Sequence, residues 1–172
     1  MKLVDIKKIS HDPRSKGYLV TLKTFKKNDF LEILVGTKDA KEISLAKEGI
    51  NLPRPSTHDL LLDTIDSFNI KIKKIIITDY KASTYYSKII LYNINIGEIA
   101  IDCRPSDSMI LSLKSGSPLY ISKKLFDVSV IGGVTYDIGE NIKNDSKMSL
   151  ENLNKALSRA ILAEEYEIAA NL

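Results

Sequence analysis

The sequence lacks several features that would assign it to a specialised class of protein. It has one cysteine, Cys103, so it cannot form an internal disulfide framework or a zinc site built from several thiolates. No stretch approaches the roughly 18 apolar residues of a membrane-spanning helix, and the first residues lack the apolar run of a signal peptide. We therefore expect a cytoplasmic protein without membrane contact.

A large excess of charge of one sign is also absent. The 172 residues include 25 basic and 22 acidic side chains, which gives a formal net charge of +3 and a pI near 8.8. Such mild basicity permits nucleic acid as a partner without requiring it. Because 44% of the residues are hydrophobic, the chain can bury one sizeable core, which predicts one main domain.

Two periodicities alternate along the first three quarters of the chain. Apolar residues at every second position predict strands, and apolar residues at helical spacing after a capping residue predict helices. Strands are predicted at residues 2–9, 18–25, 30–35, 72–78, 84–92, 98–103 and 119–121. Helices are predicted after the N-caps Thr37 and Thr57 and from Ser106, or Pro105 at its edge, with a further helical turn near residues 123–127. This order predicts an α+β fold with mixed or antiparallel sheets packed around helices.

The C-terminal quarter has a different composition. Residues 131–148 contain glycines and a polar string, which predicts a linker after a domain of residues 1–130. Residues 149–172 place Leu150, Leu153 and Leu157 on one face, which predicts an amphipathic helical unit. Its local charge is negative, so nucleic acid is not its expected partner.

Two segments place Arg-Pro-Ser beside the start of a predicted helix. A helix start offers unpaired N–H donors and a partial positive charge, and a guanidinium adds a bidentate donor, so each segment can hold a phosphate. The residues expected to contact phosphate are Arg54, Thr57, Arg104 and Ser106.

If the two helix starts face one cleft, a set of catalytic groups meets there: His58, Asp59, Asp102 and Asp107. Histidine can accept a proton from water near neutral pH. Carboxylate oxygens are suitable ligands for Mg²⁺ or Mn²⁺, which Asp102 and Asp107 would hold.

Structural explanations compete with these roles. Thr57 and Ser106 are also ordinary N-caps, and Asp59 and Asp107 are first-turn acids that favour the helix macrodipole. Asp102 can form an ion pair with Arg104. A structural role also stays open for His58, but it fits less well, because histidine is a poor helix former and its charged form gains nothing at a helix start. Lysine pairs beside the tyrosines match single-strand binders, or form a solvated face.

Several of these motifs together resemble the bifunctional nuclease domain family. The matching segments are Leu52–Leu61, Ile75–Asp79, Tyr85-Tyr86, Ile101–Ser108 and Ser117–Ile121. The resemblance implies an α+β fold, often a homodimer, and degradation of both DNA and RNA. It also places His58, Asp59, Asp102, Arg104 and Asp107 in the matching motifs.

The end of the chain carries a second resemblance. Leu150-Glu151-x-Leu153, Ala156, Ala160 and Glu165–Leu172 are similar to the UVR motif, a helical hairpin through which subunits of bacterial excision repair recognise each other. That motif normally continues further, so we expect an incomplete copy. A plain amphipathic helix that packs on the domain or on a second subunit is the alternative.

Three hypotheses about function follow. The first is a nuclease that hydrolyses DNA or RNA, with metal assistance. The second is a non-catalytic module that binds an anion or a protein and recruits a repair or stress partner through its C-terminal helix. The third is a dimeric scaffold in which the motif residues lie at the subunit interface.

Overall fold

The structure is a computed structural model that describes residues 1–25, 29–126, 128–131 and 134–137. Along the chain, the elements in these ranges are β1 (Lys2–Asp12), β2 (Gly17–Thr24), β3 (Phe30–Val35), α1 (Thr37–Lys47), α2 (Thr57–Ser67), β4 (Lys71–Lys81), β5 (Thr84–Asn93), β6 (Gly97–Cys103), α3 (Pro105–Ser115), β7 (Leu119–Ile121), a 3-10 turn (Lys123–Leu125), β8 (Val128–Ile131) and β9 (Val134–Asp137).

In the described part of the chain, seven strands form one mixed sheet in the order β3-β2-β1-β7-β4-β5-β6. β7 runs parallel to β4, and the other neighbouring pairs are antiparallel. This confirms the predicted α+β class with a mixed sheet, in which β4, β5 and β6 form an antiparallel meander. The predicted strand at 119–121 is confirmed too, and it joins the two halves of the sheet by pairing with β1 and β4.

One face of this sheet carries the core because apolar residues alternate along its strands. Helices α1 and α3 cover that face: α1 lies near β2, and α3 lies near β4 and β5. The fully buried apolar side chains come from both layers: Val20, Leu22, Ile43, Ile75, Ile77, Met109, Ile110, Leu111 and Ile121. Helix α3 is therefore held firmly, and so is its first turn.

The predicted helix caps were wrong by one or two residues. Helix α2 is capped by Ser56 rather than Thr57: Asp59 N–H donates to the Ser56 hydroxyl, and Ser56 N–H donates to the Asp59 carboxylate. Helix α3 begins at Pro105, the alternative start predicted beside Ser106, because proline suits the first helical position. Arg104 is therefore its N-cap, and Ser106 lies inside the helix and is buried. The N-cap of α1 is Gly36, not Thr37.

Left-handed glycines follow two of the helices. Gly116 follows α3 with φ of 69°, and Gly49 follows α1 with φ of 66°. Asn69 fills the same role after α2, with φ of 55°, where Ile70 N–H donates to the carbonyl of Ile65.

The segment predicted as a linker begins with β-structure. Strands β8 and β9 pair with each other, and β9 lies inside residues 131–148. The remainder of that segment and the predicted helical motif at 149–172 lie outside the described residues. None of the helices in the described ranges is long and apolar enough to cross a membrane.

Candidate functional site

The first turns of α2 and α3 and the second turn of α1 meet around His58, the second residue of α2. Its Nε2 lies 3.2 Å from Oδ1 of Asp107, the third residue of α3. Its Nδ1 lies 2.8 Å from Oε2 of Glu42 in α1. The His58 side chain is 13% exposed. One imidazole therefore contacts carboxylates from two other helices, although the three residues are far apart in sequence.

The contact between His58 and Glu42 is an ion pair by distance. Nδ1 of His58 and Oε2 of Glu42 are both fully buried, and neither has a well-aligned hydrogen-bond partner within the described residues. Their separation of 2.8 Å still places a negative charge directly beside the ring. Glu42 thus restrains the imidazole electrostatically, while Asp107 forms the aligned contact with Nε2.

Arg104 extends this arrangement to the protein surface. Its Nε and Nη2 donate to the two oxygens of Asp107 at 3.0 and 2.8 Å, and its Nη1 donates to Asp39 at 3.4 Å. Such bidentate pairing fixes the plane of the guanidinium. The Arg104 side chain remains 64% exposed, so its outer edge can meet a ligand. We call His58, Glu42, Asp107, Arg104 and Asp39 the His58 cluster.

The charges in the His58 cluster are strongly coupled. Burial raises the pKa of Asp107, but the Arg104 guanidinium and His58 outweigh it, so the pKa of Asp107 lies below its ordinary value. The hydrogen bond from Arg104 to Asp107 raises the pKa of Arg104 in turn. Three carboxylates face one guanidinium and one imidazole. Any phosphate must therefore approach the exposed guanidinium rather than the interior of the cluster.

Asp59 is not part of the His58 cluster. Its carboxylate closes the capping box with Ser56 and accepts a hydrogen bond from Nζ of Lys114 at 2.7 Å. The bond from Lys114 and those from Ser56 lower the pKa of Asp59 to about 2. The structure therefore supports the structural explanation for Asp59, a tie between α2 and the last turn of α3.

Replacing Asp59 by Asn should weaken the fold most clearly at neutral pH. Since the folded pKa of about 2 lies below the ordinary value of 3.8, this carboxylate stabilises the fold above about pH 4, and the benefit is lost as the pH falls toward 2. Loss of the cap and the ion pair should lower the free energy of unfolding by about 1 kcal/mol at pH 7 and by less at pH 2. Urea unfolding at both pH values measures this.

Asp63→Asn is the matched control for that variant, because Asp63 is exposed on the same helix. It should change the free energy of unfolding by less than about 0.5 kcal/mol. An equal loss for the Asp59 variant at pH 7 and pH 2 would show that its charge plays no part.

Asp102 is on the opposite side of the sheet from the His58 cluster. The next residue, Cys103, points toward α3, where its Sγ lies 3.1 Å from the hydroxyl of Ser108. Side chains alternate along a strand, so Asp102 faces away from α3. It is exposed, and Arg104 pairs with Asp107 and Asp39 instead. The predicted ion pair between Asp102 and Arg104 was wrong.

The predicted metal ligands therefore do not meet. Asp102 faces away, and both oxygens of Asp107 accept hydrogen bonds from Arg104. The described ranges contain no group of three or more acidic, histidine or cysteine side chains arranged to hold a metal ion. These residues do not fit a Mg²⁺ or Mn²⁺ site of the expected composition.

The four residues predicted to contact phosphate do not lie together either. Arg104 is exposed within the His58 cluster, whereas Ser106 is buried in the first turn of α3. Arg54 and Thr57 are exposed at the start of α2. The cysteine is not a candidate nucleophile, because burial raises the pKa of Cys103 despite opposing hydrogen bonds with Ser108 and Ser87.

Two members of the His58 cluster, Glu42 and Asp39, were missed as site residues in the sequence. They are one helical turn apart on the polar side of the predicted first helix, and that spacing was the available signal. A surface position on an amphipathic helix explains such acids equally well. Only the packing of α1 beside α3 brings them to His58 and Arg104.

Comparisons with known proteins cover this part of the chain. The sequence matches the bifunctional nuclease domain family over residues 20–132, which includes every residue of the His58 cluster. Residues 149–172 lie outside that match, so their UVR-like character stays a prediction.

Two curated proteins of Mycobacterium tuberculosis are similar in sequence: uncharacterized protein MT1877 of strain CDC 1551 / Oshkosh and uncharacterized protein Rv1829 of strain H37Rv. Each is 34% identical over 94 residues, which are 55% of this chain and 55% of the relative. The chain thus spans about half the length of the curated relatives it matches.

Proposed function

Because this chain belongs to the bifunctional nuclease domain family, we propose that it hydrolyses phosphodiester bonds of DNA or RNA at the His58 cluster. The observation that supports this most is the contact of His58 with Asp107, which itself holds the exposed Arg104. A proton-transfer group and a phosphate-binding group are thereby fixed through one carboxylate.

Arg104 provides the phosphate contact in this proposal. Asp107 and Asp39 occupy three of its five N–H donors and hold the guanidinium plane. The other two donors are not used by these carboxylates, and the side chain is 64% exposed. They can bind the non-bridging oxygens, where negative charge grows during attack on phosphorus.

His58 transfers the protons. Each ring nitrogen has a carboxylate beside it, and the proposal assigns the ring the role of proton donor to the leaving oxygen, in addition to the acceptance of a proton from water expected from sequence. Nε2 gives its proton to the leaving oxygen as the bond from phosphorus to that oxygen breaks. The water oxygen that bonds to phosphorus returns a proton to the ring. The imidazole is unchanged after one turnover, and the products carry a phosphate and a hydroxyl.

The test is cleavage of labelled single-stranded DNA, duplex DNA and RNA by the purified chain, with Mg²⁺, Mn²⁺ or EDTA. The proposal expects cleavage that survives EDTA, because no step is assigned to a metal. Cleavage that requires a metal would contradict this assignment of roles, and the absence of cleavage on every substrate would exclude the nuclease.

The second candidate is a non-catalytic dimeric module, and the surface of α2 and β6 favours it. Helix α2 has no buried residue among its eleven, and Leu60 is 63% exposed. Strand β6 is at the edge of the sheet, with Ile99 and Ile101 more than 40% exposed. Exposed apolar residues on α2 and on a strand at the edge of the described sheet suit a protein partner or a second copy. A folded chain without any turnover would favour this candidate.

A further inference from the structure

Arg104 belongs both to the His58 cluster and to the rim of a neighbouring cleft of about 470 Å³. The end of β3 and the start of α1 form one wall, and the hairpin between β4 and β5 forms the other. The first turn of α3 closes one end with Arg104 and Ser106. The volume lies within the range of about 300–1,000 Å³ that is typical of small-molecule sites.

The charges of the cleft restrict what can enter it. Among the described residues that line it, Asp12, Glu32 and Asp39 are acidic and Arg104 is basic. A phosphodiester backbone running through the cleft would bring its negative charges against three carboxylates. A phosphate is favoured only at the Arg104 end, so the remainder suits a neutral group with N–H donors.

Two tyrosines make the cleft suitable for an aromatic ring. Tyr80 and Tyr85 both line it, with ring centroids 4.5 Å apart and planes at 48°. The hydroxyl of Tyr85 is buried, and within the described ranges it has no hydrogen-bond partner. Burial and the neighbouring Tyr80 raise the pKa of Tyr85 to about 12, so this hydroxyl stays protonated and can donate a hydrogen bond. A ligand that brings an acceptor would satisfy it.

We propose that this cleft binds an unpaired guanine base of the nucleic acid, with the attached phosphate at Arg104. The proposal rests on the function proposed above and adds the substrate feature that the site recognises. The base packs against Tyr80 and Tyr85, and an acceptor atom of the base accepts a hydrogen bond from the Tyr85 hydroxyl.

Guanine is the base that matches the carboxylates best. Its N1–H and N2–H are adjacent donors, whereas adenine presents a ring acceptor beside its amino group. Oε1 of Glu32 accepts a hydrogen bond from Thr21 at 3.0 Å, which fixes the carboxylate and leaves Oε2 available. Asp12 already accepts bonds from Arg14 N–H and the Ser15 hydroxyl. Glu32 is therefore the acceptor assigned to guanine.

Isothermal titration of the full chain with GMP, AMP and ribose 5-phosphate tests this. GMP should bind about tenfold more tightly than AMP, and ribose 5-phosphate should bind more weakly than either nucleotide. Equal affinities for the three compounds would overturn the proposal.

Two variants connect the binding to the cleft. Tyr85→Phe removes the buried hydroxyl but keeps the ring, and it should weaken GMP binding about fivefold. Glu32→Gln should reduce the preference for GMP over AMP. Tyr92→Phe is the control, because Tyr92 is exposed on the opposite face of β5 and should leave both affinities unchanged. If neither Tyr85→Phe nor Glu32→Gln changes the affinities for GMP and AMP, the assigned site is contradicted.

The failures of the two proposals are distinguishable in these experiments. Nucleic-acid cleavage without selective GMP binding would contradict the guanine site and support the nuclease proposal. Selective GMP binding without cleavage of any substrate would support the guanine site and contradict the nuclease proposal.

Discussion

His58→Gln should lower the rate of nucleic-acid cleavage by about 100-fold or more, because general acid–base catalysis contributes on that scale. Glutamine can still donate a hydrogen bond to Asp107, so the variant removes proton transfer with little change in shape. Neither Glu42 nor Asp107 gains a new charged neighbour. The measurement is kcat/KM on the best substrate, with circular dichroism and urea unfolding to show that the variant is folded.

His11→Gln is the matched control, because His11 is the other histidine of the chain. It is exposed on β1, where its ring packs edge-on against Tyr18, and it lies outside the His58 cluster. The control should retain the full rate. If a folded His58→Gln protein cleaves as fast as the parent, His58 has no role in the chemistry.

Ile110→Ala should lower the free energy of unfolding by about 2–5 kcal/mol, the range found when a large buried side chain is truncated. Ile110 is fully buried in α3, the helix whose first turn carries Asp107. Truncation removes apolar contacts between this helix and the sheet and leaves a cavity. Equilibrium urea unfolding measures the change through the midpoint of the transition.

Leu60→Ala provides the comparison for that variant. Leu60 is also a large apolar residue on a helix, but it is 63% exposed, so its truncation should cost less than about 0.5 kcal/mol. Similar losses at both positions would mean that α3 is not the central core helix. Residual cleavage by Ile110→Ala, measured well below its midpoint, should stay close to that of the parent.

The sequence predicted the β-strands well, because a strand that is buried on one face has apolar residues at every second position. Alternating apolar residues locate β2 and β3, and Ile-rich runs locate β4 and β5. The pairing of β7 with both β1 and β4 was not predictable, since three residues contain no information about distant partners. The sheet order depends on that pairing.

The capping residues show a limit of local signals. Ser56 and Thr57 are both good N-caps by type, and the choice depends on which hydroxyl meets the Asp59 N–H in three dimensions. At α3, the preference of Pro105 for the first helical position outweighs the capping preference of Ser106. These are competitions between adjacent residues, which a single pattern cannot decide.

The candidate site was predictable in part. His58 and Asp107 each stand in the first turn of a predicted helix, and the structure brings them into contact. Asp59 directly follows His58 in the sequence. Because successive side chains of an α-helix point in different directions around its axis, Asp59 points to Lys114 instead. Asp102 follows the strand alternation to the other face. The direction of each side chain, rather than its distance along the sequence, therefore decides which of these residues contact His58.

The most direct test of the account is a double-mutant cycle on cleavage with His58→Gln, Asp107→Asn and the double variant, all shown to be folded. If His58 and Asp107 act as one unit, the double variant should be about as slow as the slower single variant. If instead the two losses of rate multiply, the residues act independently. That result would contradict a single site at the first turns of α2 and α3.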